Sequence, residues 1–170
     1  VFRLVDRPKI GYIRVVNFAE RTADELRAAI ESVRQPGDKV DGLIIDLRGN
    51  AGGLLSSAVE TCDAFLDRGA IVSTRGRDNV ELSRFNASLG TDLPDDVPIV
   101  VLIDKYSASA SEIVAACLQD HERAIVVGQR SWGKGTVQNI RPLEGGRSAL
   151  RLTIGSYWRP SGQDIHKWKD

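Results

Sequence analysis

The sequence has no methionine among its 170 residues, only two cysteines and two histidines, and no excess of either charge. Each shortage excludes something. A chain without Met that opens on Val1 reads as a processed or excised piece of something longer. Cys62 and Cys117 both fall on the apolar stripes of predicted helices, so buried thiols are expected rather than a disulfide or a metal site, and no Cys/His cluster has zinc spacing. Lys plus Arg and Asp plus Glu each number 23. That balance argues against a nucleic-acid or membrane-surface binder, which would show a basic excess. No apolar run approaches the roughly 20 residues of a membrane span. What remains is 42% hydrophobic and 27% charged, as in ordinary globular proteins. Residues 1–170 are therefore expected to form a single domain with a substantial core.

The hydrophobic pattern alternates between strand and helix. KIGYIRV (9–15) reads as a strand. TADELRAAIESVRQPG (22–37) reads as a helix, with Thr22 and Glu25 as a capping-box pair, Leu26, Ala29, Ile30 and Val33 on one face, and Pro36 and Gly37 ending it. GLIIDL (42–47) is a buried-type strand. RGNAGG follows, then a helix carrying Leu55, Val59, Cys62, Phe65 and Leu66, closed by Gly69. IVSTR is a short strand. Residues 76–96 are polar and irregular, with a hairpin suggested around VELSRF. VPIVVLID (97–104) is the most strongly buried-looking strand. A helix from Ser109 to Gln119, the buried strand AIVVG (124–128), and strands at 136–140 and 148–158 complete the pattern. Continuous apolar strands joined by amphipathic helices predict an α/β fold, a mainly parallel sheet flanked by helices. Loops leaving the carboxyl ends of such strands share one edge. That places RGNAGG, KYSASAS and QRSWGKG together.

Three chemistries compete for that edge. GQRSWGKGTVQ (128–138) has nearly the spacing of a phosphate-binding loop, but TVQNI after it reads as a strand, whereas a phosphate cradle needs a helix amino terminus there. A Ser-His-Asp arrangement lacks a GxSxG elbow. Twelve residues of helix, roughly 18 Å, also carry His121 away from Ser109, and His166 has no predictable place. A Ser–Lys pair fits better. Ser109 opens a helix, where its hydroxyl and the Ala110 N–H lie at the positive end of the helix dipole. Lys134 lies on the neighbouring loop, among Trp132 and glycines with no acid in that loop. A lysine serves as general base only when neutral, which requires desolvation or a positive field. Gln138 offers a neutral hydrogen bond to orient it, and Gly53 offers an N–H on the same edge. Ser107, Ser109 and Ser111 each also suit a plain capping role.

SASASEIVAACLQDHERAIVVGQRSWGKGTVQ closely resembles the core of the carboxyl-terminal processing, or tail-specific, proteases of peptidase family S41. GLIIDLRGNAGG is similar to their DLRxNxGG segment, and SYWRPSGQDI to their Y-x-TPSG-x-x-I segment, with Arg159 in place of the usual Thr. KIGYIRVVNF resembles the strand with which their core resumes after a PDZ domain. The resemblance implies Ser109 as nucleophile, Lys134 as general base, Gln138 as its orienting partner, and the Gly53 and Ala110 amides as an oxyanion hole. It implies a crotonase-like α/β core shared with Clp-type proteases, no cofactor, and endoproteolysis near the carboxyl terminus of a protein with an apolar tail. It also implies an extracytoplasmic setting, in periplasm, cell envelope or lumen. No PDZ-like segment is recognisable in the 170 residues. A non-catalytic binding module of the same fold is the alternative, but such a module has no need of Ser109, Lys134 and Gln138 together.

Overall fold

A computed structural model of the chain describes residues 2–6, 9–34 and 40–167. Its main sheet has the order β1-β2-β3-β6-β7, built from β1 (Phe2–Asp6), β2 (Lys9–Arg14), β3 (Gly42–Asp46), β6 (Ile99–Ile103) and β7 (Ala124–Gly128). β2, β3, β6 and β7 run parallel, while β1 pairs antiparallel with β2. The register sets Ile13, Ile45, Val101 and Val126 in one row across the sheet. Leu43, Ile45, Ile99 and Val101 are buried, and the alternating Ile44, Val100 and Leu102 are half-buried. The buried face carries α1 (Thr22–Arg34), α2 (Leu55–Asp63) and α3 (Ala110–Asp120), whose apolar sides fill one core around Phe18, Phe65 and Leu118. Cys62 and Cys117 are free, buried thiols, as expected.

A second, fully antiparallel sheet has the order β5-β4-β9-β8, from β4 (Ala70–Arg75), β5 (Glu81–Asn86), β8 (Thr136–Leu143) and β9 (Ser148–Trp158). The expected mainly parallel sheet is thus one of two. The hairpin expected within residues 76–96 forms instead between the IVSTR run and VELSRF, and IVSTR pairs on its other side with β9.

Three local expectations are corrected. Thr22 does not pair with Glu25. Its hydroxyl turns back to donate to the Asn17 carbonyl and accept from the Ala19 N–H. The second helix ends at Asp63 rather than beyond Leu66, because Phe65 N–H and Leu66 N–H bond to Cys62 and Asp63 in tightened turns, which still bury Phe65 fully. AIVVG is an edge strand, so Ile125 and Val127 are exposed despite the continuous apolar run. Pro36 and Gly37, expected to end α1, lie outside the described residues.

Candidate active site

Because β3, β6 and β7 are parallel neighbours, the loops at their carboxyl ends stand side by side, and hydrogen bonds tie them pairwise. Asp104, at the end of β6, is the first tie. Its Oδ1 accepts from Gly49 N at 3.0 Å, Tyr106 N at 2.9 Å and Ser107 N at 3.1 Å. The Gly49 bond leads in holding its carboxyl below the ordinary value. Asn50 is the second tie. It is fully buried, donates from Nδ2 to Val15 O at 2.9 Å and accepts at Oδ1 from Gly52 N at 2.8 Å. Its carbonyl accepts from Ala108 N and from Ser111 Oγ.

These ties separate the three serines. Ser107 and Ser111 are buried, and their hydroxyls donate to Leu47 O and Asn50 O, each at 2.9 Å. They are structural links between loops. Ser109 is half-buried and opens α3 with φ 56° and ψ −115°. A non-glycine residue held there stores about 1–3 kcal/mol of backbone strain, a cost typical of functional turns. Sharp strand-to-helix turns of this kind push a side chain outward, and here one exists without the GxSxG sequence.

The RGNAGG turn packs directly against this serine. A Cβ on Gly52 would stand 2.8 Å from Ser109 Cβ and 2.7 Å from Ala108 O. A Cβ on Gly53 would stand 2.1 Å from Phe18 O. Phe18 bridges to this turn through Gly52 O and Leu54 N, which leaves the Gly53 N–H out of the bridge. Among the described residues, neither the Gly53 nor the Ala110 N–H donates to a protein acceptor. Two unspent amides beside a serine at a helix amino terminus are what an oxyanion requires.

Lys134 reaches the same edge by a route the sequence did not suggest. Glu112, in the first turn of α3 and only 5% exposed, accepts from Ser109 N at 2.8 Å and from Lys134 N at 2.8 Å on one oxygen. Its other oxygen accepts from Gly133 N at 2.6 Å. The main-chain nitrogens of Ser109 and Lys134 therefore lie within two hydrogen-bond lengths of each other. The lysine loop has no acid of its own, yet an acid from α3 holds its backbone. The Lys134 side chain itself is exposed. Gln138, on β8, donates from Nε2 to Thr136 Oγ1 at 3.1 Å and to Thr153 Oγ1 at 2.8 Å. These two bonds fix its amide and leave Oε1 as its acceptor.

The carboxyl-terminal segment backs the lysine loop. Lys167 N donates to Gly133 O at 3.0 Å, Tyr157 N to Gly135 O at 2.7 Å, and Gly135 N to His166 Nδ1 at 3.4 Å. Arg159 anchors this strap to the end of α3 through Asp120 and Gln119, and Ser161 N adds a bond to Asp120. His166, unplaceable from sequence, thus supports the loop from behind. His121 caps α3 far from Ser109 and bonds Ala70 O, as its position predicted. β8 follows the loop, so the helix that a phosphate cradle needs is absent.

Residues 9–169 match the family model of peptidase family S41. A carboxy-terminal-processing protease of Bartonella bacilliformis is 54% identical over 158 residues, covering 92% of this chain and 36% of that protein. A chloroplastic carboxyl-terminal-processing peptidase 2 of Arabidopsis thaliana is 38% identical over 94% of this chain and 30% of its own length. Among solved structures, a photosystem II D1 C-terminal processing protease superposes with a TM-score of 0.86 at 31% identity, over 93% of this chain and 40% of that one. The chain thus spans about a third of the curated relatives it matches. On a match over nearly its whole length, the chain belongs to peptidase family S41.

Proposed function

We propose that the chain carries the catalytic centre of a serine endopeptidase that cleaves proteins near their carboxyl termini with a Ser–Lys pair. The observation that carries this reading is the Glu112 carboxylate, which joins the backbone of Ser109 to that of Lys134 at a turn with two unspent amides. Ser109 Oγ attacks the scissile carbonyl and passes its proton to Lys134 Nζ. The Gly53 and Ala110 N–H groups hold the oxyanion. Lys134 then protonates the leaving amine, and water resolves the acyl-enzyme by the same route. Lys134 must be neutral to begin, and a bound substrate covering it would remove the water that favours its charge. Gln138 Oε1 orients the amine, since Nε2 is committed to two threonines.

The relatives' names support carboxyl-terminal processing, and the longer relatives leave room for the substrate-capturing PDZ domain and extracytoplasmic setting we also propose. Among the described residues, no helix is long and apolar enough to cross a membrane. The test uses the full-length protein and an unstructured substrate with an apolar tail, read by mass spectrometry. Ser109→Ala and Lys134→Ala should each lower turnover by roughly 10⁴-fold or more. Lys134→Arg keeps the charge but cannot become neutral, so it should be equally dead. Near-normal cleavage by either lysine variant would remove Lys134 from the mechanism.

A further inference from the structure

Beside Lys134 an open groove of about 650 Å³ is lined by Gly49, Ala51, Tyr106, Ala108, Trp132 and Lys134. Its size falls within the roughly 300–1,000 Å³ of ligand sites. The lining is of two kinds. Gly49, Ala51 and Ala108 carry nothing beyond a Cβ, so they make a low floor. Tyr106 and Trp132 are large aromatic walls, left 55% and 63% exposed. Exposed aromatic surface in a concave site is unfavourable in water and favourable against an apolar partner.

The backbone beneath both walls is tied down. Tyr106 N is held by Asp104 Oδ1 at 2.9 Å, and Trp132 N donates to Ser107 O at 3.0 Å. They also stand on the two loops that carry the reacting groups: Tyr106 is three residues before Ser109, and Trp132 two before Lys134. Whatever fills the groove therefore lies against Lys134. Charge adds a second constraint. Lys134 lines the groove, and Lys105 Nζ lies 5.0 Å from the Tyr106 ring centroid. A cationic side chain entering here meets the Lys105 ammonium beside the Tyr106 ring.

We infer that this groove is a specificity subsite that takes a bulky apolar side chain, aromatic or large aliphatic, from the substrate residue flanking the scissile bond, and rejects Lys and Arg. The inference rests on the Ser109–Lys134 reading. An alanine side chain would leave both aromatic walls wet, whereas a phenylalanine or leucine covers them.

The experiment maps cleavage sites in a proteome-derived peptide library with the full-length protein, then measures kcat/KM on paired peptides differing only as Phe, Leu, Ala or Lys at the enriched position. Enrichment of large apolar residues beside the cleaved bond is expected, with Lys and Arg depleted. Trp132→Ala and Tyr106→Ala, both at exposed positions, should lower the Phe-to-Ala preference at least about tenfold, the scale of a lost apolar contact in a pocket. Ala51→Leu, which fills the floor from an exposed position, should do the same by exclusion. Melting temperatures identify any variant that fails to fold. An unchanged preference in all three, with Ser109→Ala inactive, overturns the subsite and leaves the catalytic reading standing. Cleavage that survives Ser109→Ala overturns both.

Discussion

The two halves of the candidate site are built differently. The nucleophile half is locked by buried side chains: Asn50, Ser107 and Ser111 are fully buried and bond across loops, and Gly52 and Gly53 pack with no room for a methyl group. The lysine half is held through its own main-chain atoms, to the Glu112 carboxylate on one side and to the strap of residues 159–167 on the other, with the Lys134 side chain exposed. A donor array for an oxyanion works only if it is fixed before charge develops. A base that must change protonation tolerates, and gains from, a setting that the substrate completes. The difference in packing follows the difference between the tasks proposed for the two halves.

The largest effect that would test this contrast is steric. Gly53→Ala places a Cβ 2.1 Å from Phe18 O, where the partner is rigid backbone, at φ 151°. Gly133→Ala places one 2.4 Å from Lys167 Cβ, in the peripheral strap. We expect Gly53→Ala to cost ~3 kcal/mol or more and to yield little folded protein. Gly133→Ala should fold, with the damage confined to the strap. Equal losses in urea melts would mean that the two halves are equally rigid.

Next in size is Glu112, the tie between the halves. Glu112→Ala strips three N–H groups of a charged acceptor. Each unsatisfied buried group costs about 1–3 kcal/mol, so a loss of at least ~3 kcal/mol is expected, together with collapse of kcat. Glu112→Gln keeps the shape but replaces one accepting oxygen with an amide nitrogen. It should fold better than the alanine variant and still lose activity. If Glu112→Ala keeps both stability and kcat, the carboxylate is not what aligns Ser109 with Lys134.

Arg159 probes the lysine half alone. Its guanidinium and Asp120 are 22% and 9% exposed, so the pair is largely desolvated. Arg159→Ala should cost about 1–3 kcal/mol. Amide exchange should quicken at Ser161, Ile165 and Lys167, while β3 and β6 stay protected. Uniform loss of protection would show that the strap is not a separate unit.

Much of this was legible in the sequence, and what was not has physical reasons. The parallel order of β2, β3, β6 and β7 follows from continuous apolar runs joined by amphipathic helices, and it alone brings the three loops together. Topology therefore puts the candidates Ser109 and Lys134 on one edge. Glu112 was not legible, because within α3 it reads as an ordinary first-turn acid. Its function exists only once a loop 21 residues later folds onto it. β4 read as a strand without a partner, since it pairs with β9, some eighty residues on. AIVVG read as buried because composition shows apolarity and cannot show that a strand lies at an edge. Arg159 was visible as an anomaly in a known motif, but its partner Asp120 was not.

The smallest effect expected near neutrality, and one that grows in acid, concerns carboxylates in both halves. Arg48 holds Asp46 well below the ordinary range, even though burial works the other way, and Tyr12 Oη adds a 2.5 Å bond. Asp104 is lowered chiefly by the Gly49 N–H. Asp120 is pushed up by burial, but the bonds from Arg159 and Ser161 outweigh that and leave it lowered. Each group binds its proton less readily folded than unfolded, so the unfolded chain takes up more protons as pH falls. Stability from all three is therefore fully present above the ordinary aspartate value near 3.8 and drains away as pH falls through the lower folded values. Urea midpoints should be flat from about pH 8 to 5 and fall below about 4. Asp104→Asn and Arg159→Ala divide that fall between the halves. The first should flatten the share belonging to the nucleophile side, where Asp104 joins two loops, and the second the share belonging to the strap. If either variant leaves the acid slope unchanged, that half does not owe its stability at neutral pH to its ionised aspartate.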